Sequence, residues 1–333
     1  MREIAIWPDE ERAALFQYTA DKTDMSASII EKDFWVCWVL DYLFHESEWK
    51  NDLLFKGGTS LSKSYNLINR FSEDIDLVLD WEVLGYESDE PLEERGKKKQ
   101  ESFNWDLKLR IETFLKDELI PKMNEDIFKE LNSPIEFEID SNNKSAVNFT
   151  YPQDFTDSAL RKPIRIEIAT PAITSFSETR FVSPYASQSF PDLFSKPNTE
   201  ILTVLPECTF WEKITILHRE ANRPKDSAFP DKYSRHYYDI CRLFSSDVKQ
   251  KAFENKEILE QVSSFKEKFY PQKWADYGNA KIGTVKLLPP EYNSDILEQD
   301  YENMQIMIFG ERPSFQEMMD SIKQLESELN QLG

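Results

Sequence analysis

Leu53-Leu-Phe-Lys-Gly-Gly-Thr-Ser-Leu-Ser-Lys63, followed shortly by Arg70-Phe-Ser-Glu-Asp-Ile-Asp-Leu-Val-Leu79, joins a glycine turn to two carboxylates. The chain holds only 8 glycines in 333 residues, yet two of them are adjacent at Gly57 and Gly58. The apolar run Leu53, Leu54, Phe55 reads as a short buried strand. Gly57-Gly58 would end it in a turn open enough for backbone N–H groups to approach a phosphate. Thr59 or Ser60 can cap the helix that follows, since Leu61, Tyr65 and Ile68 recur at helical spacing. A helix N-terminus attracts anions, although a glycine pair alone suits a plain strand-to-helix turn equally well.

The carboxylates sharpen that reading. Along Asp74-Ile-Asp-Leu-Val-Leu79 the side chains alternate, so Asp74 and Asp76 share one face while Ile75 and Leu77 turn into a core. Two residues along a strand span about 6.8 Å, and two bare carboxylates at that distance repel by roughly 2 kcal/mol at an effective dielectric of about 20. A divalent cation removes the cost, and oxygen ligands on a rigid strand suit Mg²⁺ or Mn²⁺. Lys56, Lys63 and Arg70 flank the pair, which argues against two ordinary surface acids.

Phe55-Lys-Gly-Gly-Thr-Ser-Leu-Ser-Lys63 with Arg70-Phe-Ser-Glu-Asp-Ile-Asp-Leu77 resembles the signature of the AbiEii/AbiGii nucleotidyltransferase toxins, a MenT-like branch of the DNA polymerase β-like superfamily. Ile30-Glu-Lys-Asp-Phe-Trp-Val36 is similar to the helix that precedes that signature. The resemblance implies a third acidic position on a neighbouring strand. Ile164-Arg-Ile-Glu-Ile-Ala169 alternates cleanly and offers Glu167; Ile135-Glu-Phe-Glu-Ile139 offers Glu136 and Glu138 by the same pattern, and the family order favours Glu167.

Two later stretches extend the likeness. Phe210-Trp-Glu-Lys-Ile-Thr-Ile-Leu-His-Arg219 reads as a helix with Phe210, Ile214 and Leu217 on one stripe and Lys213 at its rim. Tyr233-Ser-Arg-His-Tyr-Tyr-Asp-Ile-Cys-Arg-Leu-Phe244 reads as another, with Ser234 as its cap and Arg235 and Asp239 four apart on one face. In the family the corresponding lysine reaches the triphosphate and the corresponding aspartate belongs to the active site. The resemblance thus implies a catalytic set of Asp74, Asp76, Glu167, Lys213 and Asp239, with Asp74, Asp76 and Glu167 on the metal. It places Lys56, Gly57, Gly58, Thr59 and Ser60 at the nucleotide, together with Lys63, Arg70, Ser72, Lys213 and Arg235.

Composition bounds the remaining possibilities. With 40% apolar and 13% aromatic residues the chain folds around one large core or two moderate ones. No stretch approaches 18 apolar residues and Met1-Arg-Glu-Ile-Ala-Ile-Trp7 lacks a signal-peptide core, so no membrane is involved and a cytoplasmic location is expected. Cys37, Cys208 and Cys241 form neither a disulfide framework nor a zinc pattern. Only three histidines, His45, His218 and His236, are present, which disfavours a histidine metal centre or a Ser-His-Asp hydrolase.

The net charge of −21 opposes nonspecific nucleic-acid binding, but it is unevenly spread. Glu82 to Asp140 carries 17 acidic against 9 basic residues, whereas Glu212 to Arg242 carries 7 basic against 5 acidic. The acidic remainder could dock a basic partner.

These readings give an α+β protein: a polymerase β-like core of mixed strands over 1–200 with N-terminal helices, then a helical domain over 201–333 that completes the active-site cleft. The Ser/Pro-rich span Ser183 to Asn198 reads as a linker or an extended loop around Pro184, Pro191 and Pro197. The resemblance implies a toxin of a bacterial toxin–antitoxin or abortive-infection system. It would transfer a nucleotide from an NTP, with Mg²⁺, to an acceptor such as the tRNA 3′ end, and would have a cognate antitoxin. Two alternatives stay open on the residues: transfer to a protein hydroxyl or small molecule, and a non-catalytic module that binds nucleotide or a partner.

Overall fold

The computed structural model describes residues 1–131, 135–155, 163–169 and 176–333. The chain divides into two compact units. The first comprises Met1–Tyr65, Phe71–Pro171 and Ser177–Thr203; the second comprises Asn66–Arg70, Ala172–Phe176 and Val204–Gly333.

The first unit is built on a sheet with seven strands among the described residues: β1 (Leu53–Lys56), β2 (Ile75–Leu79), β3 (Glu136–Ile139), β4 (Ala146–Thr150), β5 (Ile164–Ala169), β6 (Ser177–Val182) and β7 (Thr199–Val204). They lie in the order β3-β4-β5-β2-β1-β7-β6. The sheet is mixed: β2 runs antiparallel to β1 and parallel to β5, and β5 is antiparallel to β4. This is the α+β architecture expected from the sequence. Alternation decides which way each strand faces, since Ile75 and Leu77 on β2 and Ile164, Ile166 and Ile168 on β5 are buried while Asp76, Arg165 and Glu167 are half-buried.

Helices α1 (Arg2–Ala5), α2 (Asp9–Lys22), α3 (Ala27–His45), α4 (Gly57–Lys63), α5 (Lys97–Phe114), α6 (Ile120–Leu131) and α7 (Tyr185–Ser189) complete this unit. Ser26 caps α3 by accepting from the Ile29 N–H, and every residue from Ser28 to Phe44 is buried. A helix apolar on all sides belongs inside a core. Trp35 lies 5.9 Å from the Tyr151 ring and Trp38 6.5 Å from Phe149, which seats α3 on β4 and the residue after it. Truncating either tryptophan to alanine would cost about 3–5 kcal/mol.

Three local expectations change. Neither Thr59 nor Ser60 caps α4, because Gly57, at φ +83°, turns the chain from strand directly into helix with Lys56 at the cap. The helix also ends at Lys63, and Asn66 in the left-handed region carries the chain away before Ile68. Ser183 to Asn198 is neither linker nor extended loop: it holds α7 and lies wholly within the first unit. Its prolines bracket a short helix instead of extending the chain, and the Ser187 hydroxyl ties to the carbonyls of Pro184 and Pro197.

The second unit is helical: α8 (Pro206–Ala221), α9 (Ser234–Phe244), α10 (Val248–Glu254), α11 (Glu257–Phe269), α12 (Ser294–Met304) and α13 (Phe315–Gln331). Phe210, Ile214 and Leu217 are fully buried, as the stripe on α8 predicts. The short segment Asn66–Arg70 joins this unit as an extended piece, with Phe309 N–H donating to the Asn69 carbonyl at 2.7 Å and Arg70 bridging Ile308. Ser234 does not cap α9. The cap is the Asp300 carboxylate of α12, which accepts from the N–H groups of Lys232 at 2.6 Å and Ser234 at 2.8 Å.

Candidate functional site

In the first unit, sheet pairing assembles what the sequence leaves scattered. Lys56 on β1 is the register partner of Asp76 on β2, and Asp76 is the register partner of Glu167 on β5. Register partners on adjacent strands point to one face about 5 Å apart, so a lysine and two carboxylates form a row across the middle of the sheet. Asp74, two residues before Asp76 and immediately ahead of β2, is also half-buried. Glu167 is 35% exposed and pairs with Arg165 at 2.9 Å, two residues back on its own strand.

Gly57 is required here on two counts. Its φ of +83° is a conformation that L side chains rarely adopt, and a Cβ on it would lie 2.0 Å from Asp76 Oδ2. The Asp76 carboxylate therefore rests directly against the Gly57 backbone. Gly58 follows within α4. Thr59, fully buried, bonds to the Asp74 carbonyl and lies 2.9 Å from the Ser72 hydroxyl, tying the first turn of α4 to the chain ahead of β2. Ser60 turns its hydroxyl to the Gly57 carbonyl at 2.9 Å. Both hydroxyls thus serve the turn itself.

Lys63 is placed differently from a phosphate ligand. Its side chain is 6% exposed, its ammonium lies 2.6 Å from Asp33 of α3 and 3.8 Å from the centre of the Tyr185 ring. Burial alone would lower its pKa, but Asp33 outweighs that and keeps it charged.

Glu31, Lys32 and Asp33 are successive residues on a buried helix, so they point in three directions about 100° apart. Glu31 accepts from the N–H groups of Asp154 and Phe155. Lys32 binds Glu73 at 2.7 Å, and Asp33 takes Lys63 and the Tyr185 N–H. The family-like stretch Ile30–Val36 carries these three without a role assigned to them, although three adjacent charges in a largely apolar helix signal buried polar partners.

The second unit carries a separate ionic cluster. Asp239 on α9 is fully buried; Arg70 grips both its oxygens, with Nε 2.7 Å from Oδ1 and an Nη 2.8 Å from Oδ2, and Lys213 of α8 lies 2.8 Å from that same Oδ2. Burial would raise the Asp239 pKa, but Arg70 and then Lys213 hold it below the usual carboxylate range. Lys213 is itself buried, not at the rim of its helix, and burial lowers its pKa against the pull of Asp239. His236 Nδ1 lies 3.5 Å from Lys213 Nζ; burial and the surrounding cations keep this imidazole neutral. Arg235 is half-buried on the same helix.

A family model described as nucleotidyl transferase AbiEii toxin, type IV TA system, matches residues 38–321. The chain belongs to this family. Among solved structures, MenT4, a nucleotidyltransferase toxin from Mycobacterium tuberculosis H37Rv, is similar in fold with a TM-score of 0.59 at 15% identity, over 96% of this chain and 90% of its own. A putative nucleotidyltransferase from H. pylori matches with a TM-score of 0.40 at 13% identity, over 93% and 99%. None of the curated proteins matches it.

Membership makes the chain a nucleotidyltransferase toxin of a toxin–antitoxin system. For an AbiEii protein, the donor set around β2 can be tested against a metal. Among the described residues no three His, Cys, Asp or Glu side chains are gathered into a cage, and Glu167 is engaged with Arg165. Two hard carboxylates on one rigid face still fit Mg²⁺ or Mn²⁺, because Mg²⁺ is ordinarily held by one or two carboxylates plus substrate phosphates and water. No helix among the described residues is long and apolar enough to cross a membrane.

Proposed function

We propose that the protein transfers a nucleotide from an NTP to a nucleic-acid hydroxyl, the 3′ end of tRNA, in the cytoplasm, and that a cognate antitoxin restrains it. The observation that carries this reading is the placement of Asp76 against Gly57, in register with Glu167 and beside Asp74. It puts the carboxylates and a backbone turn within one small patch of a rigid sheet.

In this reading Asp74 and Asp76 hold Mg²⁺ or Mn²⁺, which when bound neutralises phosphate charge and orients the attacking and leaving oxygens. Gly57 and Gly58 present backbone N–H groups to the phosphates, Gly57 at a point where a side chain would meet Asp76, and Lys56 adds a positive charge beside Asp76. Glu167 accepts the proton of the acceptor hydroxyl as its oxygen attacks the α-phosphorus; the bond to the bridging oxygen breaks and pyrophosphate leaves. That role requires Glu167 to exchange its Arg165 contact for the hydroxyl. Lys213 and Arg235 contact the triphosphate, and Asp239 holds Lys213 and Arg70 in order for nucleotide binding. Ser72, Thr59 and Ser60 support the site by holding the turn, and Lys63 by anchoring the end of α4 to Asp33.

Purified protein with Mg²⁺ and each labelled NTP in turn, offered total tRNA beside total protein, tests the reading. Label should enter tRNA, and only with Asp76 intact. Label that enters protein alone would move the acceptor, and no transfer with any NTP would remove the activity. In cells, expression should slow growth, Asp76→Asn should relieve it, and the product of a neighbouring gene should restore it.

A further inference from the structure

We infer that Lys32 of α3 is a positioning residue for the metal-binding carboxylates, holding the start of the strand that carries Asp74 and Asp76 against the start of the strand that carries Glu167. The inference rests on the proposed role of those carboxylates.

The two backbone ladders around β2 leave Asp74 outside. Pairing of β2 with β5 begins at Ile75 and Ile166, and pairing of β2 with β1 reaches no further than Asp76 opposite Lys56. Asp76 and Glu167 are thus fixed by backbone register, whereas Asp74 stands one residue ahead of the first ladder pair. Its position depends on what holds its neighbours.

Lys32 supplies that hold. Its ammonium is fully buried, donates to the Glu73 carboxylate at 2.7 Å and donates to the Pro163 carbonyl at 3.1 Å. Glu73 immediately precedes Asp74, and Pro163 immediately precedes β5. One charged group therefore ties together the starts of two parallel strands. On the opposite side, Thr59 bonds to the Asp74 carbonyl, so Asp74 is held between α3 and α4.

The choice of residue supports positioning over plain stability. A buried ion pair is often replaceable by apolar side chains of similar volume with no loss of stability. An apolar pair, however, cannot grip a carboxylate and a carbonyl from different strands at once, which a lysine with its several N–H donors can. Most of the other buried positions of α3 are apolar, so this helix readily buries apolar side chains.

The test separates the two roles. The double variant Lys32→Met/Glu73→Met removes both charges, so no stranded ion remains to unfold the unit. It should keep a urea midpoint near that of the wild type. Its Mn²⁺ dissociation constant, read by electron paramagnetic resonance, should rise roughly tenfold, the lower end of what outer partners of a metal site contribute. The Mg²⁺ concentration for half-maximal transfer should rise with it. A folded double variant with wild-type Mn²⁺ affinity and Mg²⁺ dependence overturns the inference. If the double variant does not fold, Glu73→Gln, which keeps an acceptor for Lys32, decides: a smaller rise in the Mn²⁺ constant supports positioning, and an unchanged constant overturns it. Asp76→Asn measured alongside distinguishes the underlying reading. Unchanged Mn²⁺ affinity in Asp76→Asn shows that these carboxylates do not hold the metal, and the role of Lys32 falls with them. Weakened binding there, with none in the double variant, removes Lys32 alone.

Discussion

The two acidic sites of this chain treat the same residue type in opposite ways. Asp239 in the second unit is fully buried, gripped twice by Arg70 and once by Lys213. Asp76 in the first unit stands half-buried on one face of a sheet, with Glu167 brought alongside by register and Asp74, also half-buried, just ahead of the strand. A carboxylate sunk among cations holds its surroundings together, and removing it strands two positive charges in a core. A carboxylate presented from a rigid strand beside a second one stores repulsion that a cation relieves. On the proposed reading, the fold needs Asp239 and the chemistry needs Asp74 and Asp76.

The largest expected effect tests that division directly. Asp76→Asn should reduce transfer by about a thousandfold or more, roughly 4 kcal/mol, while leaving stability within about 0.5 kcal/mol, because it relieves like-charge repulsion and keeps shape. Asp239→Ala should do the reverse to the fold, lowering the free energy of unfolding by about 3–5 kcal/mol in urea titrations. An Asp76→Asn protein as unstable as Asp239→Ala would erase the distinction between the sites.

Gly57 sharpens the comparison next. Gly57→Ala forces a side chain into the left-handed region, at a cost of about 1–3 kcal/mol, and pushes its Cβ to within 2.0 Å of the Asp76 carboxylate unless that group moves. Because Asp76 is the flexible party, the loss should appear mainly in transfer and Mn²⁺ affinity. Gly58→Ala, one residue later in α4, should change both little. Equal losses from the two would show that the pair matters as a flexible turn and not as a seat for Asp76.

How much of this was legible follows from how far each signal reaches along the chain. The period of two in Asp74–Leu79 and Ile164–Ala169 is local, so strands and facing were readable and remain correct. The adjacency of Asp76 and Glu167 was reachable only through the family resemblance, since register between distant strands leaves no trace in either strand alone. Thr199-Glu-Ile-Leu-Thr-Val204 did carry a signal: Thr199, Ile201 and Thr203 are buried while Glu200 and Leu202 face out. Its neighbouring Ser/Pro-rich span made it easy to pass over. The grips of Lys32 on Glu73 and of Arg70 on Asp239 are pairings of residues far apart in sequence, and composition cannot propose them. Lys213 at the rim was the reasonable expectation for a helix lysine; Asp239 overrode it by giving a buried ammonium a partner.

Lys213 offers a smaller effect with a clear control. Lys213→Ala should weaken NTP binding or slow turnover by at least about tenfold, near 1.4 kcal/mol, whereas exposed Lys225→Ala should change neither. Arg70 still grips Asp239 in that variant, so stability should fall less than in Asp239→Ala. If transfer survives unchanged while stability drops, Lys213 belongs with the structural charges of the second unit and not with the nucleotide.

The smallest effect concerns protons and isolates a support of the second unit that carries no chemistry. His218 is fully buried on α8, its Nδ1 accepts from the Lys286 N–H at 3.0 Å, and its Nε2–H donates to the Asp276 carbonyl at 3.0 Å. Both nitrogens are occupied in the neutral tautomer, and burial holds the pKa below its ordinary value of 6.5. A depressed folded-state pKa means that below pH 6.5 the unfolded chain gains a proton that the native chain refuses. The stability tied to His218 is therefore complete above 6.5 and declines toward the folded pKa, by up to about 1.4 kcal/mol per pH unit. Glu31 works against it in a total measurement, because burial pushes its carboxyl up to about 7, so the native state holds an extra proton between its ordinary 4.5 and that value. A difference experiment removes Glu31: wild type and His218→Gln, which keeps a donor and an acceptor but does not titrate, are unfolded in urea at pH 7.5, 6.5 and 5.5. The wild type should lose more stability relative to the variant between pH 6.5 and 5.5 than between 7.5 and 6.5. Parallel curves across all three would mean that the imidazole can protonate in place, and that the Lys286 N–H does not depend on it.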